Sequence, residues 1–439
     1  MSGSRSSHPF SRRTFLTGLG LGAAGVGAAG AGGLALSSCS TDGSAGSAGG
    51  SGGEHTVPFR DVHQAGITTA QQEHLHIVAF DVVTTDREDL RDLLSEWTAM
   101  AERMAEGLET TEGGALSDTS ADTPSDDPSG VTVPSDTGEA LGLTAANLTV
   151  TIGFGPSLFD DRFGLSDRRP DELTALPKFP GDQLVEELCD GDIVIQACAD
   201  DPQVAVHAVR NLTRAGSGVV EVRWSQLGYG RASKTTVDET TPRNLFGFKD
   251  GTRNILADET DDLDTHVWCP AEPGKGSWMD GGSYMCVRRI RMLLEVWDRQ
   301  ILDDQQHTFA RYKGSGAPLG TTDEFDDVPF DLYLGTGGPA IPHDSHVFLA
   351  HPDNNDGARM LRRAYNFIEG SDSFGHLSSG LFFIAYVARP SVDFTPVQMA
   401  LAHKDKMNEY VRYESKAIFA CPPGLGDDGA DWGTALFDG

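Results

Sequence analysis

A short stretch near the middle of the chain, residues 244–254, holds the first residues whose types and spacing could do chemistry. It reads NLFGFKDGTRN and places one acid, Asp250, between Gly247 and Gly251. Glycine has no side chain, so the backbone there can approach a flat ligand closely while the carboxylate points into the gap. Because Asp-Gly is also a common turn, these residues alone do not separate a proton-transfer site from a turn.

A second stretch carries three histidines, His343, His346 and His351, and is followed by Arg362. An imidazole is a natural axial ligand of haem iron, and its other ring nitrogen then needs a hydrogen-bond acceptor. The same histidines are compatible with a zinc site, and a histidine in isolation is more often structural than a ligand. The residues alone leave these three interpretations open.

Taken together, the two stretches resemble the dye-decolourising (DyP-type) haem peroxidases. The first matches the distal block of that family. In the second, the Ser-His-hydrophobic pattern at His346 and the later Met-Leu-Arg-Arg match its proximal histidine and its distal arginine, Arg362. Segments 179–182, 198–202 and 380–386 also look like recurring segments of the family, so the resemblance covers most of the chain beyond its leader.

The resemblance implies one haem b per chain, held between an imidazole and an acid–guanidinium pair. His346 would bind the iron on the proximal side, while Asp250 and Arg362 would lie on the distal side. Asp250 would accept and return a proton of hydrogen peroxide. Arg362, which stays protonated at any relevant pH, would stabilise the negative charge that develops on the departing oxygen.

Five further residues are predicted on the same basis to line the haem pocket. Phe248, Gly251 and Thr252 belong to the distal block. Leu381 and Phe383 occupy alternate positions of a late buried strand and would therefore point to one face of it. For these last two residues a place in the ordinary core is an equally good interpretation.

Two acids on a late predicted helix, Asp405 and Glu409, are candidates for the acceptor of the His346 ring. A carboxylate in that position would give the imidazole more anionic character. Both residues are also typical of the solvated face of a helix, so the sequence does not choose between them. Arg363, directly after Arg362, is predicted to form an ion pair away from the site.

The elements that must position these residues predict an α+β fold. The N-terminal half, residues 56–240, has the order strand, helix, strand, strand, helix, strand of a ferredoxin-like unit, and residues 241–439 repeat this order of elements. We expect tandem ferredoxin-like halves of the dimeric α+β barrel type, with antiparallel sheets, peripheral helices, and the haem between the sheet and the helices of the C-terminal half. The predicted elements are strands 74–83, 147–155, 192–198, 219–224, 284–290 and 380–387 and helices 87–104, 202–212, 295–309 and 394–410.

Residues 105–139 are predicted to be a loop inserted into the N-terminal half. They contain nine acids, no Lys or Arg, and many Ser, Thr, Pro and Gly residues. This composition is typical of a disordered or loosely ordered segment rather than of a domain.

The whole chain of 439 residues has a net charge of −31, although its first 38 residues hold three arginines and no acid. Such a balance argues against nucleic acid as a partner and leaves cationic ligands or simple solubility as explanations. Beyond Cys39 the cysteines are odd in number and form no CxxC pair, so they indicate neither a zinc nor an iron–sulfur site and require no disulfide. They are Cys189, Cys198, Cys269, Cys286 and Cys421.

Residues 1–38 are predicted to be a twin-arginine lipoprotein signal peptide. They contain Ser-Arg-Arg-Thr-Phe-Leu from Ser11 and then an uncharged Gly/Ala-rich stretch, and their last three residues form a lipobox-like Leu-Ser-Ser-Cys with Cys39. Cys39 would carry the lipid on the outer face of the cytoplasmic membrane, with residues 39–55 as a flexible Gly/Ser tether. An ordinary signal peptide with a chance cysteine is the alternative.

The activity implied by the resemblance is reduction of hydrogen peroxide coupled to oxidation of dyes or of other organic or metal donors. With its twin-arginine leader the chain is most similar to the exported branch that includes the EfeB-type deferrochelatase/peroxidases of iron uptake. The alternative function is therefore release of iron from haem, with iron-uptake membrane proteins as partners. A cofactor-free lipoprotein that only binds a partner is the third interpretation.

Overall fold

An antiparallel β-sheet that closes on itself forms the centre of the molecule. The computed structural model describes residues 56–115, 133–271, 276–333, 335 and 338–437, so the predicted leader and tether lie outside the described residues. The strands are β1 (His74–Val82), β2 (Thr149–Phe154), β3 (Ile193–Ala199), β4 (Val220–Arg231), β5 (Ser283–Met292), β6 (Leu361–Arg362), β7 (Tyr365–Ser371), β8 (Leu377–Val387), β9 (Val411–Tyr413) and β10 (Ala417–Cys421).

Eight of these strands form a closed barrel. In space they run β8, β7, β4, β1, β3, β2, β10 and β5, and β5 pairs with β8 again. The short strand β6 pairs with β8 ahead of β7, and β9 pairs with β5 beside β10. Closure leaves these eight strands without an unpaired sheet edge.

The barrel consists of two ferredoxin-like halves. The first half contributes strands in the order β4, β1, β3, β2, and the second half contributes β10, β5, β8, β7. In each half, these four strands lie side by side in the order fourth, first, third, second of their sequence, so the two halves have the same topology. The halves are joined where β2 pairs with β10 and where β4 pairs with β7. The predicted tandem α+β architecture of the barrel type is therefore confirmed.

Helices cover the outside of the sheet. They are α1 (Arg87–Ala105), α2 (Pro202–Ala215), α3 (Thr260–His266), α4 (Leu294–Trp297), α5 (Leu302–Phe309), α6 (His346–Ala350), α7 (Thr395–Lys404) and α8 (Thr434–Phe437). The two long helices of the first half begin at acids that cap them, because Asp86 accepts a hydrogen bond from the Glu88 amide and Asp201 accepts one from the Gln203 amide. Their apolar faces pack on the outward side chains of the sheet, such as Phe80.

Two predicted helices of the second half are shorter than expected. The predicted helix 295–309 is divided into α4 and α5, because the buried Trp297 is packed against the loop at Phe246, and Ile301 is extended. The predicted helix 394–410 ends at Lys404. Asp405 there adopts an extended conformation and caps a separate 3₁₀ turn, Lys406–Glu409.

Both described ends of the acidic insertion are attached to the first half. The Asp136 carboxylate is buried and accepts hydrogen bonds from the Thr110 amide at 2.9 Å, the Gly138 amide at 2.7 Å and His207 Nε2 of α2 at 2.9 Å. Arg214, also on α2, donates to the carbonyls of residues 134 and 135. The middle of the insertion, 116–132, lies outside the described residues.

A buried ion pair links the two halves on the outer side of the barrel. Arg288 of β5 bonds through Nη2 to Asp182 and through Nε to the Ser415 carbonyl at 2.9 Å. Its guanidinium lies 4.9 Å from the ring centroid of Phe179 and 4.8 Å from that of Tyr413. The segment 179–182 of the first half is thus bonded to the second half through a fully buried ion pair.

The five described cysteines are all buried and free. Among the described helices, none combines the length and apolar character needed to cross a bilayer.

Removal of one partner of the linking ion pair should destabilise the protein strongly. Asp182→Ala leaves Arg288 buried without its carboxylate, so we expect the free energy of unfolding to fall by about 3–5 kcal/mol, measured by urea denaturation. The double variant Asp182→Ala/Arg288→Met removes the uncompensated charge and should be no less stable than the single variant. A loss below about 1 kcal/mol for Asp182→Ala would mean that the pair acts like a solvated one.

Attachment of the insertion should depend on pH. Burial raises the pKa of Asp136, but the hydrogen bonds from Thr110, His207 and Gly138 outweigh it, so the net pKa is lowered. The carboxylate therefore stabilises the attachment above the unfolded-state pKa of about 3.9, and this contribution disappears as the pH falls through the lower folded-state pKa.

Asp136→Asn should release the ends of the insertion already at pH 7. Loss of a hydrogen bond to a charged group favours the opened state by about 10-fold or more, so limited proteolysis within 106–139 should be faster by that factor. Glu112→Gln, which changes an exposed acid of the same insertion, is the matched control. Equal cleavage rates for the wild type and Asp136→Asn would contradict this role of Asp136.

Candidate active site

The predicted site residues meet on the outer side of the second half's sheet. Here the loop 244–254 and helices α5, α6 and α7 cover strands β5, β6 and β8. An apolar cluster between them defines the compartment, and its members include Phe246, Phe248, Trp297, Phe309, Leu381, Met407 and Tyr410.

Asp250 lies at the edge of this compartment and bonds to Arg362. Its Oδ1 accepts a hydrogen bond from Arg362 Nη1 at 3.0 Å, and its Oδ2 accepts one from Asn244 Nδ2 at 3.1 Å. The side chains of Asp250 and Arg362 are 18% and 25% exposed, so the pair is partly open to a ligand. The two predicted distal residues are therefore in direct contact.

Two glycines give the loop around Asp250 its shape. Gly247 has φ +81° and Gly251 has φ +98°, a left-handed conformation that other residues rarely adopt. A Cβ on Gly251 would lie 2.8 Å from the Lys234 amide nitrogen, so only glycine fits this approach of two backbones. The next residue, Thr252, donates from its hydroxyl to Glu324 Oε1 at 3.0 Å, which ties the loop to a neighbouring segment.

Arg362 is fixed through its main chain by Asn254. The Asn254 side-chain oxygen accepts from the Arg362 amide at 2.7 Å, and its Nδ2 donates to the Arg362 carbonyl at 2.9 Å. The sequence analysis gave no role to Asn254 or to Asn244, although both lie in the distal block. Their position at the two ends of that block was the available signal.

Arg363 lies on the opposite side of the strand from Arg362 and is fully buried. It turns away from the site as expected. The acceptors of its guanidinium are, however, the carbonyls of Thr69 and Ala70 and the side-chain oxygen of Gln72, not a carboxylate.

His346 is the first residue of α6, where Ser345 caps the helix. Its Nδ1 lies 2.6 Å from Asp405 Oδ2, and the other oxygen of Asp405 accepts from the Met407 amide at 2.8 Å. The Asp405 side chain is fully buried, whereas Glu409 is exposed. Of the two candidate acids, Asp405 is the one that contacts the imidazole.

The charge of Asp405 dominates the protonation of His346. Burial lowers the pKa of the imidazole, but the attraction and the hydrogen bond of Asp405 outweigh burial, so the net pKa is raised. Asp250 contributes a smaller increase, and Arg362 opposes it. The imidazole therefore responds to charges on both sides of the compartment.

The other two histidines do not join His346. His343 stacks on Phe348 with ring centroids 4.5 Å apart, and His351 Nδ1 accepts from the Asp353 amide at 3.2 Å. Within the part of the chain that the structure describes, no group of three or more His, Cys, Asp or Glu side chains is arranged to hold a metal ion. The zinc interpretation has no such cluster to support it.

Apolar side chains wall the compartment. Phe248 stacks on Phe309 with ring centroids 4.2 Å apart, and Phe309 lies edge-on to His346 at 6.3 Å. Leu381 and Phe383 both pack against this cluster, while the intervening Phe382 points into the barrel. The predicted alternation along β8 is confirmed.

The comparison with protein families matches both halves of the chain. The model of the Dyp-type peroxidase N-terminal domain matches residues 64–230, and that of the C-terminal domain matches residues 241–426.

Curated relatives match over most of their length. A dye-decolorizing peroxidase of Thermobifida fusca (strain YX) is 36% identical over 427 residues, which cover 94% of each chain. A deferrochelatase of Escherichia coli (strain K12) is 37% identical over 384 residues, which cover 86% of each chain.

Solved structures agree with this assignment. Ferric DtpA from Streptomyces lividans is 34% identical with a TM-score of 0.77, over 89% of this chain and 99% of that one. A DyP-type peroxidase from Cellulomonas bogoriensis is 36% identical with a TM-score of 0.76, over 89% of this chain and 100% of that one. On these matches and this fold, the chain belongs to the Dyp-type peroxidase family.

Proposed function

We propose that this Dyp-type peroxidase reduces hydrogen peroxide with Asp250 and Arg362 on one side of a bound haem b and His346 on the other. The oxidising equivalents would pass to dyes or to other organic or metal donors. The observation that carries the proposal is the arrangement of these side chains around one apolar compartment. This arrangement includes the 3.0 Å contact between Arg362 Nη1 and Asp250 Oδ1 and the 2.6 Å contact between His346 Nδ1 and Asp405 Oδ2.

The residues of the compartment fit a haem. Asp405 is hydrogen-bonded to His346 Nδ1, which leaves Nε2 as the ring nitrogen available to iron. Phe248, Leu381 and Phe383 supply apolar surface for a flat macrocycle. A bound haem would supply the redox-active iron at which peroxide is reduced.

Asp250 is suited to move a proton between the two oxygens of hydrogen peroxide. Cleavage of the O–O bond requires a proton to leave the inner oxygen and to reach the outer one. Asn244 and Arg362 each donate to one oxygen of the carboxylate, which holds it in a single orientation at the edge of the compartment. The carboxylate can take the proton directly or through a water molecule.

Arg362 supplies a fixed positive charge for the departing oxygen. A guanidinium stays protonated over the working pH range, and a preorganised donor needs no rearrangement when charge develops. Asn254 holds the main chain of this residue on both its amide and its carbonyl, so the direction of the side chain is set before substrate arrives.

On the other side, Asp405 would orient the His346 ring and increase its anionic character. A buried acceptor on Nδ1 fixes which nitrogen faces the iron and strengthens the ligand. Because Asp405 also caps the 3₁₀ turn at Met407, its own position is determined by the backbone.

Substitution of the distal pair should suppress turnover while haem is retained. Asp250→Ala should lower kcat/KM for hydrogen peroxide by about 10²–10⁴-fold, because proton transfer is lost. Arg362→Ala should lower it by about 10²–10³-fold, because charge stabilisation is lost. Stopped-flow kinetics measure the rate, and the Soret band measures haem content.

Glu409→Gln serves as the control, because Glu409 is an exposed acid near the proximal carboxylate. It should keep wild-type kinetics. If Asp250→Ala and Arg362→Ala also keep full activity and a full Soret band, the proposed roles are wrong.

We also propose that the protein is exported by the twin-arginine pathway and anchored through a lipid on Cys39. The support is the sequence of residues 1–39, which combines the twin-arginine pattern with a lipobox-like end. Export of folded proteins by this pathway is compatible with insertion of haem before transport.

The second candidate function is release of iron from haem, with iron-uptake membrane proteins as partners. It is favoured by the 37% identity with deferrochelatases over 86% of the chain. Incubation of the protein with haem in the absence of peroxide separates the two functions, because only deferrochelation yields free protoporphyrin. For a peroxidase we expect no protoporphyrin fluorescence above that of a His346→Ala control, and stoichiometric protoporphyrin would favour the second function.

A further inference from the structure

Two neighbouring arginines point to opposite sides of the same strand. The register of β6 and β7 along β8 places Arg362 beside Ala385, and the Arg363 amide bonds to the Ile384 carbonyl at 2.9 Å. Side chains alternate between the faces of a sheet, so Arg362 faces the active site and Arg363 faces the barrel interior. The residues next to Arg363 on its own face, Leu361 and Tyr365, belong to the interior cluster.

A charged side chain is an expensive choice for this interior position. Transfer of a guanidinium out of water costs several kcal/mol unless its donors are satisfied, and an apolar residue of similar volume would fill the space without that cost. Arg363 is 0% exposed, and its terminal nitrogens donate to Thr69, Ala70 and Gln72. All three acceptors lie in the segment that leads into β1 of the first half.

The same segment also holds the main chain beside Arg363. Gln71 Nε2 donates to the Ala364 carbonyl at 2.8 Å. Gln72 is itself oriented, because its Nε2 donates to the Asn147 carbonyl at 2.7 Å and to Thr149 Oγ1 at 3.1 Å, which turns its oxygen towards Arg363. A planar guanidinium bonded in this way fixes direction, whereas apolar packing alone permits sliding and rotation of the strand.

The strand that carries Arg362 is therefore held from both faces. On the outer face Asn254 bonds to the Arg362 main chain, and on the inner face Arg363 bonds to segment 69–72. We propose that Arg363 is a positioning residue of the active site: anchored on the first half, it fixes the strand from which Arg362 reaches Asp250. This inference rests on the proposed function of Arg362.

The test measures how well Arg362 is placed in the holoenzyme, by two readouts. Fluoride bound to ferric haem accepts a hydrogen bond from a distal donor, so its dissociation constant, read from the visible spectrum, reports on that placement without turnover. The second readout is the second-order rate with hydrogen peroxide. Misplacement of a catalytic group by about 1 Å can cost about 100-fold, so for Arg363→Met we expect both fluoride affinity and rate to fall by about 10-fold to 100-fold, with haem retained.

Arg289→Met is the matched control. Like Arg363, Arg289 is a buried arginine of the same barrel, and it bonds to a glutamine, Gln226, at 2.9 Å as well as to two carboxylates. It lies on β5, however, and is not adjacent to Arg362. It should lose stability but keep both readouts. Arg363→Lys, which keeps a donor for the Thr69 carbonyl, should fall between the wild type and Arg363→Met.

The outcomes are distinguishable. If Arg363→Met changes neither readout, or changes both only as much as Arg289→Met does, Arg363 is merely structural and the inference is overturned. Should Arg363→Met fail to fold, Gln72→Leu removes an acceptor of the same guanidinium from the other half and should shift both readouts in the same direction, while no shift overturns the inference. If Arg362→Ala itself leaves both readouts unchanged, it is the proposed function that fails.

Discussion

The alternation of side chains across the sheet of the second half is the constraint on which the active site depends. The interior of the closed barrel is filled by packed side chains, and the compartment lies on the outer face. Strands β6 and β8 send Arg362 and Leu381 outward while Arg363 and Phe382 fill the interior. A slip of one residue in β6 would exchange the two arginines, so register and chemistry are specified together.

The charges of the site are arranged as two local pairs. Asp250 contacts Arg362, and Asp405 contacts His346, each within hydrogen-bonding distance. The protein carries a net charge of −31, and salt screens exposed charges that lie more than about 10 Å away. The nearest charged and polar partners of Asp250 are Arg362 and Asn244.

The fold could be predicted because the order of strands and helices in the first half matches a ferredoxin-like unit and recurs in the second half. The division of 295–309 into α4 and α5 could not, because it depends on the tertiary packing of Trp297 against the distal loop. The choice between Asp405 and Glu409 was also beyond the sequence, since residues four apart lie on one face of a continuous helix. The helix ends at Lys404, and the separate turn that follows buries only the first of these two acids.

The distal block was recognisable by its glycines and its acid, yet the positioning roles of Asn244 and Asn254 were missed. The Asn244 side chain bonds across the curled loop, and that of Asn254 bonds to a strand more than a hundred residues away. Their place in the block indicated that they could matter but not which groups they contact. The contact of Arg363 with segment 69–72 is harder still to read from the sequence, because it joins residues that belong to different halves.

The buried thiols have a consequence for where this protein can mature. All five cysteines of the described residues are free, and none is needed to staple the two halves, which are joined by strand pairing and by the Arg288–Asp182 contact. Among the described residues, no native contact is a disulfide that would need an oxidising environment. For the described part of the chain, the native contacts are therefore compatible with a reducing compartment, in which such thiols stay unpaired.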